Sequence, residues 1–190
     1  METRIRQKLL NAGFHYLNRY GSSVENLRSV LWRKARRWAR QGKLPDQGPA
    51  HDPADERPDG AVAARLREDV DAVVTRCIEL GLVDDEKYAQ SKAFGLRQRG
   101  GSARRIRAAL ANKGVDPDLA ETVIADTPDT ETDAARTFAR RRRLGPWRPD
   151  AQRAEKRDRD VAALCRAGFQ VSLAISVIDS RTGDEIEDGR

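Results

Sequence analysis

The sequence predicts an all-α fold of tandem three-helix repeats, three in number. Three observations carry the prediction. Apolar residues recur at intervals of three and four, the period of a helix with one buried face. Runs that alternate β-branched and polar residues between turns, the mark of a strand, are missing. Blocks of sequence also recur: KGVDPDLAETVI from Lys113 and AGFQVSLAISVI from Ala167 share Gly, Leu-Ala and Val-Ile at an offset of 54 residues. Ser23, Leu27, Arg28, Leu31 and Lys34 correspond in the same way to Ser102, Ile106, Arg107, Leu110 and Lys113, at an offset of 79. The expected boundaries are 1–80 for the first repeat, 82–127 for the second and 130–180 for the third, followed by an acidic, disordered tail at 181–190.

In chain order, Ile5, Leu9, Leu10, Tyr16 and Leu17 suggest a first helix, with Gly13 a candidate interruption. Val24, Leu27, Leu31, Ala35 and Trp38 form the apolar stripe of a second helix, and Ser22 or Ser23 can cap it by accepting a backbone amide bond. Residues 41–60 hold four prolines and no apolar period, so they read as a flexible linker inside the first repeat. A third helix follows, with Leu66, Val70, Val73, Cys77 and Ile78 on one face and Gly81 placed to close it.

The stretch GLVDDEKYA opens the second repeat. Paired acids invite a metal or acid-base reading, but Asp84 at the cap with Asp85 and Glu86 in the first turn suits the helix dipole better. GGSARRIRAALANKGV follows. A Gly-Gly-Ser turn before a helix is either a phosphate cradle or a hinge and cap. Ala103, Ile106, Leu110 and Lys113 make one stripe, with Arg104 and Arg107 on one side of it and Arg105 on the other, which keeps the arginines out of the core. Gly114 ends that helix, and Asp116 with Pro117 begins the next. In the third repeat the middle helix, around Arg153–Arg166, is the weakest match, with Val161 and Leu164 alone on its stripe.

Charged residues make up 35% of the 190 and aromatics 5%, so the core must be aliphatic. The net charge of +6 is uneven: residues 1–45 carry 11 Lys and Arg against 2 acids, and residues 46–60 carry 1 against 5. Such an excess on one segment repels itself unless a polyanion or an acidic surface takes it up. The run Arg140–Arg143 leaves two readings open, a solvated helix face or a charged contact surface.

The inventory for catalysis is poor. A G-x-x-x-x-G-K-[ST] loop is absent, and His15 and His51 are the only histidines. Cys77 and Cys165 stand far apart without a ligand partner, as core residues in a reducing compartment. No apolar run approaches the roughly 20 residues of a membrane span, and the start lacks the apolar region of a secretory leader. A cytoplasmic monomer without enzymatic activity, cofactor, metal or membrane attachment is expected.

YLNRYGSSVENLRSVLWRK, ELGLVDDEKYAQS, GGSARRIRAALANKGVDPDLAETVI and LCRAGFQVSLAISVI resemble successive blocks of the bacterial RecX family of regulatory proteins. The resemblance covers the chain outside the linker and tail, and departs at Asn26, where the family commonly has glutamate. It implies an elongated, curved molecule that lies in the groove of the RecA filament on DNA. There it restrains recombination, ATP hydrolysis and co-protease activity, and so bears on DNA repair and the SOS response. Stacked small repeats leave much surface exposed. The expected contact surface for RecA, and for single- or double-stranded DNA through its phosphates, comprises Arg28, Arg33, Arg36 and Arg37 from the first repeat. Arg97, Arg99, Arg104, Arg105, Arg107 and Lys113 join them from the second. A helix-turn-helix DNA reader is the alternative, although Ala-Arg-Arg at the front of its helix suits phosphates better than bases.

Overall fold

A computed structural model describes residues 4–44 and 60–180. Most of the linker expected at 41–60 and all of the tail at 181–190 lie outside the described residues. Among those described the fold is all-α, with no strand. The helices are α1 (Arg4–Leu17), α2 (Val24–Arg40), α3 (Gly60–Glu79), α4 (Asp85–Arg97), α5 (Ala103–Ala111), α6 (Pro117–Ala125), α7 (Glu131–Arg142), α8 (Asp150–Ala167) and α9 (Val171–Asp179). A 3-10 turn, Gly145–Trp147, stands between α7 and α8.

The chain divides into two compact units. The first runs to Tyr88 and includes Lys113–Val115; the second takes Ala89–Asn112 and the residues from Asp116 on.

In the first unit α1, α2 and α3 pack on one another. Ser23 has extended backbone and its hydroxyl accepts the amide of Asn26, so α2 starts where a capping serine dictates. Leu27, Leu31 and Ala35 are fully buried, meeting Ile5 and Leu9 of α1 and Leu66, Val70, Val73, Val74 and Cys77 of α3. Each large aliphatic side chain so buried is worth about 1.5–3 kcal/mol. Two expectations change here. Gly13 does not interrupt α1; it is buried within the helix, where a Cβ would lie 3.8 Å from the Cys77 sulfur. Ile78 is 45% exposed, because the inward face of α3 continues through Val74 and Cys77 instead. The predicted linker also starts too early, since Leu44 is buried in this core.

In the second unit α7, α8 and α9 enclose Ala134, Ala135, Phe138, Leu164, Phe169, Ala174, Val177 and Ile178, while α5 packs on α6. The weak apolar pattern of α8 has a cause: its buried face carries Asp160 beside Leu164. Asp160 accepts two hydrogen bonds from Arg148, at 2.7 and 2.9 Å, and one from the Gly145 amide at 2.9 Å. A buried charge is tolerated when partners satisfy it in this way.

One local arrangement occurs twice. In the first unit the Ser23 hydroxyl donates to the Lys113 carbonyl, and the Val24 amide donates to Asp85 at 2.7 Å. Gly114, at φ +68°, there presses against Glu25 so closely that a Cβ would sit 2.5 Å from its Cβ and Cγ. In the second unit the Ser102 hydroxyl donates to the Ala167 carbonyl at 2.7 Å, and the Ala103 amide donates to both Glu131 oxygens at 3.0 and 3.1 Å. Gly168, at φ +103°, leaves room for a Cβ only 2.6 Å from the Ser102 oxygen and 3.2 Å from Arg104 Cβ. The pairs Ser23/Ser102, Val24/Ala103 and Glu25/Arg104 share the offset of 79, and Lys113/Ala167 and Gly114/Gly168 share the offset of 54. The recurrences in sequence therefore mark one repeated contact in space. A serine that starts a helix bonds the end of a later helix, and glycine is required there because the backbones come too close for a side chain.

Candidate functional site

The Gly-Gly-Ser turn is the hinge and cap. Gly100 has φ +75°, and a Cβ on it would lie 2.5 Å from the Phe138 amide nitrogen, so the turn is packed against α7 rather than open to a ligand. The Ser102 hydroxyl accepts the Arg105 amide at 3.2 Å, which starts α5 and fixes where its arginines stand.

Of the ten expected surface residues, Arg97 is corrected. It is 5% exposed, its guanidinium donating to the Gly101 carbonyl at 3.1 Å and to Glu131. Glu131 also holds the Ala103 amide, so Arg97 is a strut inside the second unit. Lys113 is half-buried and donates to Asn26 at 2.9 Å. The Asn26 side-chain amide in turn donates to Tyr16 at 2.9 Å and Ser22 at 2.8 Å. Lys113 thus closes a hydrogen-bond network rather than facing outward.

Of the other eight, Arg28 is partly buried and seven are exposed, and they differ in how far their charge is used up. Arg28 pairs with both Glu25 and Asp71, and Arg107 grips Glu121 with two nitrogens. Arg107 holds the Glu121 carboxyl below its usual range. Arg33 donates to the Ser29 carbonyl at 3.3 Å. Arg36, Arg37, Arg99, Arg104 and Arg105 have no carboxylate partner among the described residues. The two sides of α5 are distinct, as its stripe implied. Arg104 and Arg107 border a cavity with Glu131, Gly168 and Phe169, while Arg105 borders a cleft with Arg99 on the opposite flank.

Sequence reasoning missed two members of that second cleft, Arg141 and Arg142 of α7. Their signal is the run Arg140–Arg143, which sequence alone does not separate from a solvated face. The C-cap of α7 is Arg143 at φ +54°, a left-handed position usually left to glycine.

Chemistry of bond making finds little support. The Cys77 thiol is buried and burial pushes its pKa up, the reverse of an activated nucleophile. Asp84 and Asp85 are occupied as caps, Asp84 accepting the Lys87 amide at 3.0 Å and Asp85 the Val24 amide. Hydrogen bonds from the Lys87 amide and ammonium hold the Asp84 carboxyl below its ordinary range, the reverse of a raised acid. Among the described residues no three His, Cys, Asp or Glu side chains gather to hold a metal, and no helix is long and apolar enough to cross a membrane.

Residues 84–124 match the family model of the second three-helix domain of RecX. The chain is 39% identical over 175 residues to a "Regulatory protein RecX" of Myxococcus xanthus, covering 90% of this chain and 84% of the relative. It is 28% identical over 181 residues to one of Agrobacterium fabrum, with 94% and 85% covered, and 34% identical over 124 residues to one of Mycolicibacterium vanbaalenii, with 61% and 66% covered. No solved structure matches significantly. With an all-helical fold and a relative of this identity over most of both sequences, the chain belongs to the RecX family of regulatory proteins.

Proposed function

We propose that this protein binds the RecA filament assembled on DNA and lowers RecA's recombinase, ATPase and co-protease activities, acting in recombination, DNA repair and the SOS response. The likeness to regulatory relatives over nine-tenths of the chain carries the reading. Arg36 and Arg37 of α2 and Arg104 and Arg105 of α5, exposed and without a carboxylate partner among the described residues, support it, since such guanidinium groups suit carboxylates and phosphates. The mechanism is stoichiometric: a cytoplasmic monomer, without cofactor or catalytic step, shifts assembly by its differential affinity for filament over free recombinase.

The organisation we propose is three three-helix repeats, α1–α3, α4–α6 and α7–α9, joined by the duplicated serine and glycine contact. The equal offsets of its members support that division.

The test is RecA's single-stranded-DNA-dependent ATP hydrolysis as the protein is added. Inhibition that saturates below one copy per recombinase indicates action at filament ends, and inhibition only near equal amounts indicates occupancy along the groove. No effect at any ratio refutes the reading, as does equal affinity for monomer and filament.

A further inference from the structure

The run Arg140–Arg143 is not absorbed by the surface described above. Arg141 and Arg142 stand at the end of α7, Arg99 just after α4 and Arg105 in the first turn of α5. These four line one open cleft of about 310 Å³, with Leu96 and Phe138 completing its lining. All belong to the second compact unit. Two contacts fix the arginines of α7. Arg142 lies over the Phe138 ring, 4.8 Å from its centre, and Arg141 donates to the Arg99 carbonyl at 3.3 Å. Among the described residues the lining contains no acidic side chain. Arg142 also borders a second groove, which carries Arg148, Arg159 and Arg166. The acid there, Asp160, is already taken by Arg148 and the Gly145 amide.

We propose that this paired cleft is a track for the phosphodiester backbone of nucleic acid, with Arg99, Arg105, Arg141 and Arg142 as its phosphate-holding residues. The proposal rests on the reading of this chain as a ligand of a nucleoprotein and goes beyond it by assigning the nucleic-acid side to α7 and its neighbours. Charge density decides between occupants. Four guanidinium groups with no carboxylate among them repel one another strongly, and a lone acidic side chain would neutralise one of the four. A duplex supplies one negative charge per about 1.7 Å of its axis, enough to satisfy the whole set and to continue into the neighbouring groove. Guanidinium forks match phosphate oxygens in pairs. Contacts between guanidinium groups and phosphate carry no sequence information, so recognition through this track is indifferent to sequence.

The test uses the full chain and two labelled probes, oligo(dT) and a duplex of random sequence, with affinity measured across a range of salt. Arg105→Gln/Arg142→Gln and, separately, Arg99→Gln/Arg141→Gln reduce the slope of log affinity against log salt by about 0.7 per lost contact on the single strand or 0.9 on the duplex. The two probes show which form occupies the track. Arg65→Gln/Arg76→Gln on α3 removes the same charge elsewhere and leaves the slope in place; circular dichroism checks that each variant is folded. An unchanged slope in both cleft variants overturns the proposal. So does an equal change in the α3 variant, or cleft variants that lose only binding to poly-glutamate. RecA hydrolysis is followed alongside. Wild-type inhibition with unchanged salt slopes sinks the cleft alone, whereas altered slopes without any effect on RecA sink the recombinase reading alone.

Discussion

Gly114→Ala places a methyl group where the repeated contact leaves no room, and Gly81 provides its control. The two glycines have nearly the same backbone, φ +68° and +66°, and both belong to the first unit. Around Gly81 an added Cβ meets nothing within 4 Å; at Gly114 it would lie 2.5 Å from two carbons of Glu25. A left-handed residue with a Cβ costs about 1–2 kcal/mol, and the stiffer unfolded chain returns about 0.4–1. Gly81→Ala should therefore cost about 1 kcal/mol. Gly114→Ala adds about 1–3 kcal/mol of overpacking, because the atoms it strikes stand at the base of a side chain and cannot swing aside. Relief by moving the backbone draws the Lys113 carbonyl from the Ser23 hydroxyl, another ~1 kcal/mol. The expected totals are about 1 kcal/mol for Gly81→Ala and about 3–5 kcal/mol for Gly114→Ala. Amide hydrogen exchange over α2, read by mass spectrometry, measures both. Equal losses within about 0.5 kcal/mol would refute the claim that the close contact, rather than the backbone angle, demands glycine.

Ser102→Ala removes the cap of α5 and the donor to Ala167 together, and should cost roughly 2–3 kcal/mol, seen as faster exchange in both α5 and α8. Arg97→Gln leaves Glu131 without its cation; since Glu131 is about a third exposed, the loss should be about 2–4 kcal/mol rather than that of a fully buried pair. It should lower the thermal midpoint while leaving the salt slope for oligonucleotides unchanged. Burial works to raise the Asp160 pKa, but the bonds from Arg148 and the Gly145 amide outweigh it and hold the carboxyl below its ordinary value. A depressed folded pKa stabilises fully above about pH 4 and loses that contribution as pH falls through it. Asp160→Asn should accordingly be less stable at pH 7, with a thermal midpoint that changes less than the wild type's on acidification below pH 4.

Helix starts were legible because they rest on local chemistry. Ser23, Ser102 and Asp116 cap as their residue types require, and Pro117 sits in the first turn of α6. The repeated motifs were legible too, but not their meaning: the sequence shows that Ser23 and Ser102 correspond, and only the fold shows each bonded to a residue at least 65 positions away. Charge was the least readable property. Arg97 and Arg99 look alike in sequence, yet Arg97 is buried against Glu131 while Arg99 is exposed without a carboxylate partner among the described residues, because α4 ends at Arg97 and Arg99 stands in the turn beyond it. Arg28 and Arg107 lose their availability to acids 43 and 14 residues away. Likewise Arg141 and Arg142 gained significance from α4 and α5, neighbours that no local pattern announces.

The serine-to-carbonyl bond has a direction, from the front of one helix to the finish of another, and α8 cannot extend it. Its cap is Pro149, which supplies no hydroxyl and makes no side-chain hydrogen bond. A further copy arriving at that helix finds nothing to clasp its closing carbonyl. The start of α8 thus offers no hydroxyl for a third bond of this kind. A single ring of proline, standing where serine stands at α2 and α5, leaves the clasp made twice rather than three times among the described residues.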